Sequence, residues 1–335
     1  MILSIESSCD DSSLALTQIK DCKLLFHQKI SQDEFHSSYG GIVPEIASRL
    51  HAQRLPKILN NLKEFLGGDF SALKAIAVTT EPGLSVTLIE GLMMAKTLSL
   101  TLSLPLLSIN HLKGHIYSLF INQEKEIFPL SVLLVSGGHT LILEATEREI
   151  KIIAQSLDDS FGESFDKVAK MLGEGYPGGP IIQALASKCH KELYSLPIPL
   201  QNKTLAFSFS GLKNAVRLEI EKRGDSLDKN ALAYAFQKSA CTHILQKCKR
   251  YFLDKKERGE SISHFAIVGG GSANLFLRNE MSKLAQSFGS ELLLAPLEFC
   301  SDNSAMIGRV GVREYLEGKF ADIEKIDISP RNTQF

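Results

Sequence analysis

Short apolar runs that end in polar or small-residue loops occur in both halves of the chain. Ile2 to Ile5 is an apolar run followed by the polar loop Glu6 to Ser12, and Leu14 to Gln18 is a second apolar run. At mid-chain, Leu130 to Val135 and Leu141 to Ala145 flank a turn of small residues. Each pair predicts two β-strands joined by a tight connection. Their repetition predicts a duplicated α/β architecture.

Helical spacing of apolar residues predicts the elements between and after these hairpins. Helices are expected at 44–66, 85–100, about 231–253 and 304–316, and buried strands at 75–79, 106–109, 265–268 and 292–294. His111 directly follows one of these strands and is expected to open a short helix. The polar, charged segment Asn122 to Phe128 is the expected domain boundary.

Composition narrows the class of protein. With 335 residues, 44% hydrophobic and 22% charged, the chain can bury a large core and is expected to form two domains. The 37 Lys and Arg residues against 38 Asp and Glu residues give a net charge of −1, so a nucleic acid would have to meet a local basic patch.

The expected location is the cytoplasm. The six cysteines include no CxxC pair, which is typical of reduced thiols. The first residues meet Glu6 at once and lack the basic and apolar regions of a signal peptide. We find no uncharged apolar run of about 18 residues of clear membrane type, so no membrane segment is expected.

The strongest chemical signal is the pair His111 and His115, together with the distant acid Asp302. Imidazoles four residues apart share one face of a helix, where they can hold a transition metal that a carboxylate completes. A zinc peptidase has the same spacing, but it needs a glutamate beside the first histidine, and that position is Leu112. The peptidase interpretation is weakened and stays open.

Two glycine-rich loops and one acidic loop offer further chemistry. Ser136 to Gly138 and Gly269 to Gly271 can bring backbone N–H groups against an anion, although such runs also serve as ordinary turns. Asp10 and Asp11 can bind a metal, position a water molecule or cap the turn.

Nine motifs in order along the whole chain closely resemble the TsaD family, formerly called glycoprotease. They are Ile5-Glu-Ser-Ser-Cys-Asp-Asp11, Tyr39-Gly-Gly-Ile-Val-Pro-Glu-Ile-Ala-Ser-Arg49, His111-Leu-Lys-Gly-His115, Leu134-Val-Ser-Gly-Gly-His-Thr140, Phe161-Gly-Glu-Ser-Phe-Asp-Lys167, Tyr176-Pro-Gly-Gly-Pro180, Phe207-Ser-Phe-Ser-Gly-Leu-Lys213, Gly269-Gly-Gly-Ser-Ala-Asn274 and Cys300-Ser-Asp302. The chain departs from the family at Glu81, where glycine is common, and at Asp11, where glutamate is frequent.

The resemblance implies an actin/Hsp70/sugar-kinase type α/β fold with two RNase-H-like lobes and a nucleotide cleft between them. The expected lobes are residues 1–121 plus about 303–325, and residues 128–302, which would place Asp302 in the second lobe. The resemblance further implies transfer of a threonylcarbamoyl group from threonylcarbamoyl-AMP to N6 of the adenosine 3′ of the anticodon in tRNAs that read ANN codons.

Residue roles are also carried over from the resemblance. His111, His115 and Asp302 match the family's metal ligands, with iron expected and zinc as the alternative. Residues that match the family's substrate-binding positions are Leu134, Val135, Ser136, Gly137, Gly138, Asp166, Gly179 and Asn274, and ATP or ADP are other expected occupants. Because a carboxylate can accept a proton, we nominate Asp11, and after it Asp10, as the catalytic base.

Expected partners are tRNA, TsaB and the ATPase TsaE, with a functional link to TsaC, which makes the adenylate. Three rival classes remain: an ATPase or sugar kinase of the same fold, a metallopeptidase, and an actin-like scaffold without catalysis. The kinase would not need the two histidines, and the scaffold would not need a metal.

Overall fold

The computed structural model describes residues 1–201 and 204–333, and the chain divides into two compact units. Unit 1 contains Met1–Phe35, Ile42–Glu126 and the segment from Ala295 onward, and unit 2 contains His36–Gly41 and Ile127–Leu294. The division after Glu126 falls inside the polar segment 122–128. The chain returns to unit 1 earlier than the expected point near 303, so Asp302 lies in unit 1 and not in the second lobe.

Unit 1 is built on a five-stranded sheet with order β3-β2-β1-β4-β5. Its elements are β1 (Ile2–Glu6), β2 (Asp11–Thr17), β3 (Leu24–Ser31), α1 (Asp33–Ser37, whose last two residues are assigned to unit 2), α2 (Pro44–Phe65), β4 (Ala75–Glu81), α3 (Ser85–Leu102), β5 (Leu106–Asn110) and α4 (His111–Tyr117). Strands β1, β2 and β3 are antiparallel, whereas β4 is parallel to β1 and β5 is parallel to β4. Strand β1 is wholly buried and β4 is buried up to its last residue, Glu81, as their apolar runs predict.

Unit 2 is built on a second five-stranded sheet with order β10-β9-β6-β7-β8. Its elements are β6 (Leu130–Val135), β7 (Thr140–Ala145), β8 (Ile150–Gln155), α5 (Phe161–Met171), α6 (Gly178–Ser187), α7 (Ser210–Arg223), α8 (Lys229–Glu257), β9 (His264–Val268), α9 (Leu275–Ser287) and β10 (Glu291–Leu294). Strands β6, β7 and β8 are antiparallel, and β9 and β10 continue in parallel from β6.

The two sheets have the same topology, which confirms the predicted duplication. In each sheet the first strand of an antiparallel meander (β1 or β6) also pairs in parallel with a later strand (β4 or β9). The fifth strand (β5 or β10) lies next to that later strand. The last helix, α10 (Ser304–Leu316), belongs to unit 1 and packs against β1 and β2.

One helix among those described, α3, is long and apolar enough to span a membrane by length and composition alone. It carries Glu90 and Lys96, and it packs in unit 1 against α2 and β4, as the helices of an α/β layer do.

Candidate functional site

The end of β5 and the start of α4 present the two histidines on one helical turn. The side chain of Asn110 caps α4 by accepting hydrogen bonds from the backbone N–H groups of Leu112 and Lys113. The helix therefore begins at His111 as predicted, and the imidazole centroids of His111 and His115 are 4.6 Å apart. Both side chains are buried.

The third residue of the group arrives on the loop before α10. Asn303 caps α10 through Met306 N–H, and its amide nitrogen donates to the carbonyl of Ser301, which fixes the loop on both sides of Asp302. Helix α10 can lie close to α4 because Gly114 has no Cβ, since an added Cβ would be 2.9 Å from Ile307 Cδ1. The small residue between the two histidines thus lets the carboxylate approach them.

His111, His115 and Asp302 form a group that could hold a metal ion. One ligand atom from each residue lies within 4.8 Å of the other two. Asp302 Oδ1 is 3.4 Å from His111 Nε2 and 3.3 Å from His115 Nε2. Two imidazoles and one carboxylate on one side of a cation are the ligands of non-haem iron sites, and catalytic zinc sites use similar sets.

An unsatisfied imidazole supports a metal at this position. His115 is fully buried, yet among the residues that the structure describes neither of its ring nitrogens has a hydrogen-bond partner, although Nε2 lies 3.3 Å from Asp302 Oδ1. Leaving a buried polar atom unpaired costs about 1–3 kcal/mol. A cation bound at Nε2 would remove that cost, so the residues present fit a metal.

A buried carboxylate, Glu6 at the end of β1, orients the first histidine. Glu6 Oε2 lies 3.0 Å from His111 Nδ1, and the carboxylate also accepts from Ser8 N–H and the Thr79 hydroxyl, both at 2.6 Å. Donation from Nδ1–H to Glu6 leaves Nε2 of His111 free on the side of Asp302. Metal-binding histidines typically have such a carboxylate partner on the other nitrogen.

The two carboxylates favour a positive charge at His111, and a bound metal would supply that charge in place of the proton on Nε2. Burial alone would lower the pKa of His111, but Asp302 and Glu6 outweigh burial and raise that pKa well above its usual value. Burial would raise the pKa of Asp302, whereas the adjacent imidazoles hold it well below its usual range. For His115 burial dominates, and its pKa is lowered. A neutral His115 and an ionised Asp302 are the forms that bind metals.

The acidic loop predicted from the sequence lies in the same unit. Asp10 and Asp11 are both buried, with 8% and 9% of their surfaces exposed. Asp11 Oδ2 forms an ion pair with Lys29 Nζ at 2.8 Å, while Oδ1 is buried and has no hydrogen-bond partner within residues 1–201 and 204–333. Burial raises the pKa of Asp11 to about 6, against the lowering effect of Lys29. Such a carboxylate can exchange a proton near neutral pH.

The expected substrate-binding loops lie in unit 2. Leu134 and Val135 have buried side chains inside β6, whereas Gly137 and Gly138 are exposed beyond the strand end. A Cβ on either glycine would meet nothing within 4 Å, so the side-chain direction of each is open, while the carbonyl of Gly137 accepts a hydrogen bond from the Ser160 hydroxyl. The turn is closed by Ser136, whose N–H donates to the carbonyl of His139. Exposed backbone of this kind can approach an anion closely.

The remaining predicted residues of unit 2 have structural partners of their own. Asp166 Oδ1 accepts from Gly178 N–H at 2.7 Å at the start of α6, and Gly179 beside it has open space where a Cβ would lie. Asn274 caps α9 through Leu277 N–H and donates to Gln237 Oε1. In this arrangement Asn274 fixes the position of the preceding glycine-rich loop.

Two residues of the unit 1 site were missed at the level of the sequence, namely Glu6 as the partner of His111 and Lys29 as the partner of Asp11. A signal for Glu6 exists, because an acid directly continues the apolar run of β1 and is fully buried. For Lys29 the alternating sequence of β3 gives no comparable signal.

Solved structures define the class of fold. Full-length HypF in its phosphate- and nucleotide-bound form matches with a TM-score of 0.59 at 16% identity, over 94% of this chain and 46% of that chain. The activator of the 2-hydroxyisocaproyl-CoA dehydratase from Clostridium difficile matches with a TM-score of 0.51 at 12% identity, over 98% of both chains. With the repeated strand order, these likenesses confirm the actin/Hsp70/sugar-kinase type of fold.

Sequence comparison then gives the family. The family model described as TsaD, tRNA N6-adenosine threonylcarbamoyltransferase, matches residues 23–309. The tRNA N6-adenosine threonylcarbamoyltransferase of Helicobacter pylori is 62% identical over 338 residues, which cover 99% of this chain and 98% of the relative. The enzyme of the same description from Wolinella succinogenes is 56% identical over 336 residues, with the same coverage. The chain belongs to the TsaD family, which confirms the resemblance.

Proposed function

We propose that the protein transfers a threonylcarbamoyl group from threonylcarbamoyl-AMP to N6 of the adenosine 3′ of the anticodon in tRNAs that read ANN codons. The observation that carries the proposal is the complete His111, His115 and Asp302 group in a chain that matches tRNA N6-adenosine threonylcarbamoyltransferases over nearly its full length.

The metal proposed for this group is iron, with zinc as the alternative. His111 Nε2, His115 Nε2 and an oxygen of Asp302 would hold it, and Glu6 would keep His111 in the required tautomer. A divalent cation at such a site supplies a Lewis acid that polarises a substrate oxygen. The His2Asp ligand set favours iron(II), whereas zinc in catalytic sites also takes three protein ligands and leaves one position open.

The exposed backbone of Gly137 and Gly138, with Gly179 at the start of α6, supports binding of the adenylate by unit 2. The glycines leave room for a phosphate near backbone N–H groups, and Asp166 on α5 would act beside the start of α6, where it accepts from Gly178 N–H. ATP or ADP would use the same groups when the donor is absent.

The reaction needs a group that accepts one proton. The N6 amine of adenosine attacks the carbamoyl carbon, so a C–N bond forms and the bond between that carbon and the phosphate oxygen breaks. AMP leaves with the electron pair, and the amine loses one proton. We assign that proton to Asp11, whose free oxygen Oδ1 and pKa of about 6 suit acceptance near neutral pH, with Asp10 as the second choice.

The substrate RNA and the partner proteins follow the family. We propose that tRNA is the acceptor, that TsaB and TsaE assist turnover, that TsaC or a relative supplies the adenylate, and that the protein acts in the cytoplasm. The net charge of −1 means that tRNA would be held by local contacts and not by a globally basic surface.

The test is nucleoside mass analysis of tRNA from cells depleted of the protein and complemented with variants. We expect N6-threonylcarbamoyladenosine to return with the wild type and with His190→Ala, an exposed histidine that serves as a control. His111→Ala should abolish it or reduce it severely. Full modification with His111→Ala would favour the scaffold. If the wild type does not modify tRNA, ATP hydrolysis with magnesium and without iron or zinc would favour the kinase or ATPase, and metal-dependent peptide cleavage would favour the metallopeptidase.

A further inference from the structure

We propose that Lys29 is a positioning residue for the transfer reaction, since its ammonium group joins the carboxylate of Asp11 to the loop that carries Asp302. The inference rests on the proposed function to the extent that Asp11 accepts the proton.

The geometry of Lys29 is that of a bridge within unit 1. Lys29 Nζ donates to Asp11 Oδ2 at 2.8 Å and to Ser301 Oγ at 3.0 Å. The side chains of Lys29 and Asp11 are only 26% and 11% exposed, so the ion pair is largely removed from solvent. One ammonium group thus holds the proposed base and a residue next to the proposed metal ligand Asp302.

Strand register explains how Lys29 reaches both partners. In the antiparallel pair β2 and β3, Asp11 lies opposite Ser31 and Ser13 lies opposite Lys29. Because side chains alternate between the faces of a sheet, these four residues share one face. Ser13 Oγ on that face accepts a hydrogen bond from the Ser304 N–H, so the face carries the loop that leads into α10. The register therefore places Lys29 diagonally across from Asp11 on one face of the sheet, where its ammonium group also reaches Ser301.

The bridge leaves one oxygen of Asp11 available. Oδ2 is engaged by Lys29, whereas Oδ1 is buried and has no hydrogen-bond partner in the described parts of the chain. A carboxylate that is held at one oxygen and unpaired at the other has a fixed direction for accepting a proton. Loss of Lys29 would free the side chain to rotate about χ1 and χ2.

The same contact keeps Asp11 ionised. Burial is the main influence on Asp11 and raises its pKa, and Lys29 opposes it. Asp11 is also influenced by charged groups of the neighbouring elements, which are the acids Asp33 and Asp302, and Arg54 on α2. Without Lys29 the two acids and the burial would act against Arg54 alone. We therefore expect Asp11 to be protonated at neutral pH in a variant that lacks the ammonium.

The experiment compares Lys29→Met, Lys29→Arg and the control Lys20→Met, which changes an exposed lysine in the turn before β3. The first readout is the pH titration of Asp carboxyl carbons by 13C NMR on metal-free protein, with the Asp11 signal assigned from Asp11→Asn. The second is the pH dependence of the tRNA modification rate with saturating metal.

We expect the Asp11 midpoint to be near 6 in the wild type and in Lys20→Met. In Lys29→Met it should rise by about two pH units, which lowers the ionised fraction at pH 7 from about 0.9 to about 0.1 and the rate roughly tenfold. The rate should recover toward alkaline pH, and Lys29→Arg should restore most of the activity at pH 7.

Two results would overturn the inference. One is an unchanged Asp11 midpoint in Lys29→Met, and the other is an equal loss of rate at every pH, which would mean a structural role only. If Lys29→Met does not fold by circular dichroism, Lys29→Gln keeps a polar head and is measured in its place.

Failure of the proposed function would look different. In that case the wild type itself would not modify tRNA, although Asp11 would still titrate in the NMR measurement. A wild type that modifies tRNA and an Asp11→Asn variant of equal rate would remove Asp11 as the base, and with it the role of Lys29 in catalysis.

Discussion

Glu6 provides the sharpest test of the candidate metal group, because it contacts His111 on the side away from Asp302. In Glu6→Gln the side chain keeps its shape and loses its charge. Three donors converge on the carboxylate, from Ser8 N–H, the Thr79 hydroxyl and His111 Nδ1. A glutamine has only one acceptor oxygen, so its NH2 group would face at least one of these donors.

The expected effect is a weaker metal site in a protein that still folds. Loss of a histidine's carboxylate partner typically lowers metal affinity by about 10–100-fold, which corresponds to roughly 1.4–2.7 kcal/mol. We expect a loss of metal affinity near the upper end of this range, because Glu6 is fully buried and solvent cannot replace its carboxylate.

The assay is competition between the metal-stripped protein and a chelating dye, with iron(II) under anaerobic conditions and with zinc in parallel. Glu90→Gln is the matched control, since Glu90 is a partly buried acid of α3 whose Oε1 accepts from Ser48, and in the described parts of the chain no hydrogen bond or ion pair joins it to His111 or His115. Equal dissociation constants, within a factor of two, for Glu6→Gln and the wild type would refute the role of Glu6.

Two further predictions concern stability. The pKa of Asp11 is raised from 3.8 to about 6, so the folded protein binds the proton more tightly than the unfolded chain. The free energy of unfolding of the protein should therefore fall as pH rises from about 4 to 6, by at most about 3 kcal/mol for a shift of roughly two pK units. Urea titrations of Asp11→Asn should lack this decline. A wild type and a variant with parallel pH profiles would contradict the shift. Gly269→Ala should destabilise the protein by about 3 kcal/mol, because Gly269 has φ +88° and an added Cβ would lie 2.4 Å from the carbonyl oxygen of Val135. Gly270→Ala, where a Cβ meets nothing within 4 Å, should stay within about 0.5 kcal/mol of the wild type, and equal losses for both would argue against this packing.

The elements predicted correctly are buried strands with continuous apolar runs and helices whose apolar residues recur with helical spacing. Strands β1, β4, β6 and β9 are continuous apolar runs, and α2 and α10 have long helical patterns, so their positions agree with the structure within a few residues. Strands β3 and β8 were not predicted. Both are edge strands with half-exposed, mixed sequences such as Leu24–Ser31, which give little hydrophobic signal.

For the candidate metal group, too, the sequence predicts local geometry and not the contacts between distant residues. The spacing of His111 and His115 predicts that they share a helical face, since only local geometry is involved. The approach of Asp302 depends on Gly114, on the cap at Asn303 and on the packing of α10 over the first sheet. Asp302 lies 191 positions after His111 and 187 after His115, so the match to the family was needed to name it in advance.

By itself the sequence determined the repeated strand and helix order, the helix that begins at His111, and the residue types able to bind a metal. These follow from periodicity, capping and donor chemistry, which act over a few neighbouring residues. Only the tertiary structure decided that Glu6 meets His111, that Lys29 meets Asp11, and that Asp302 belongs to the unit of the histidines. The reason is physical, because strand register and helix packing bring together side chains whose distance along the chain carries no information about contact.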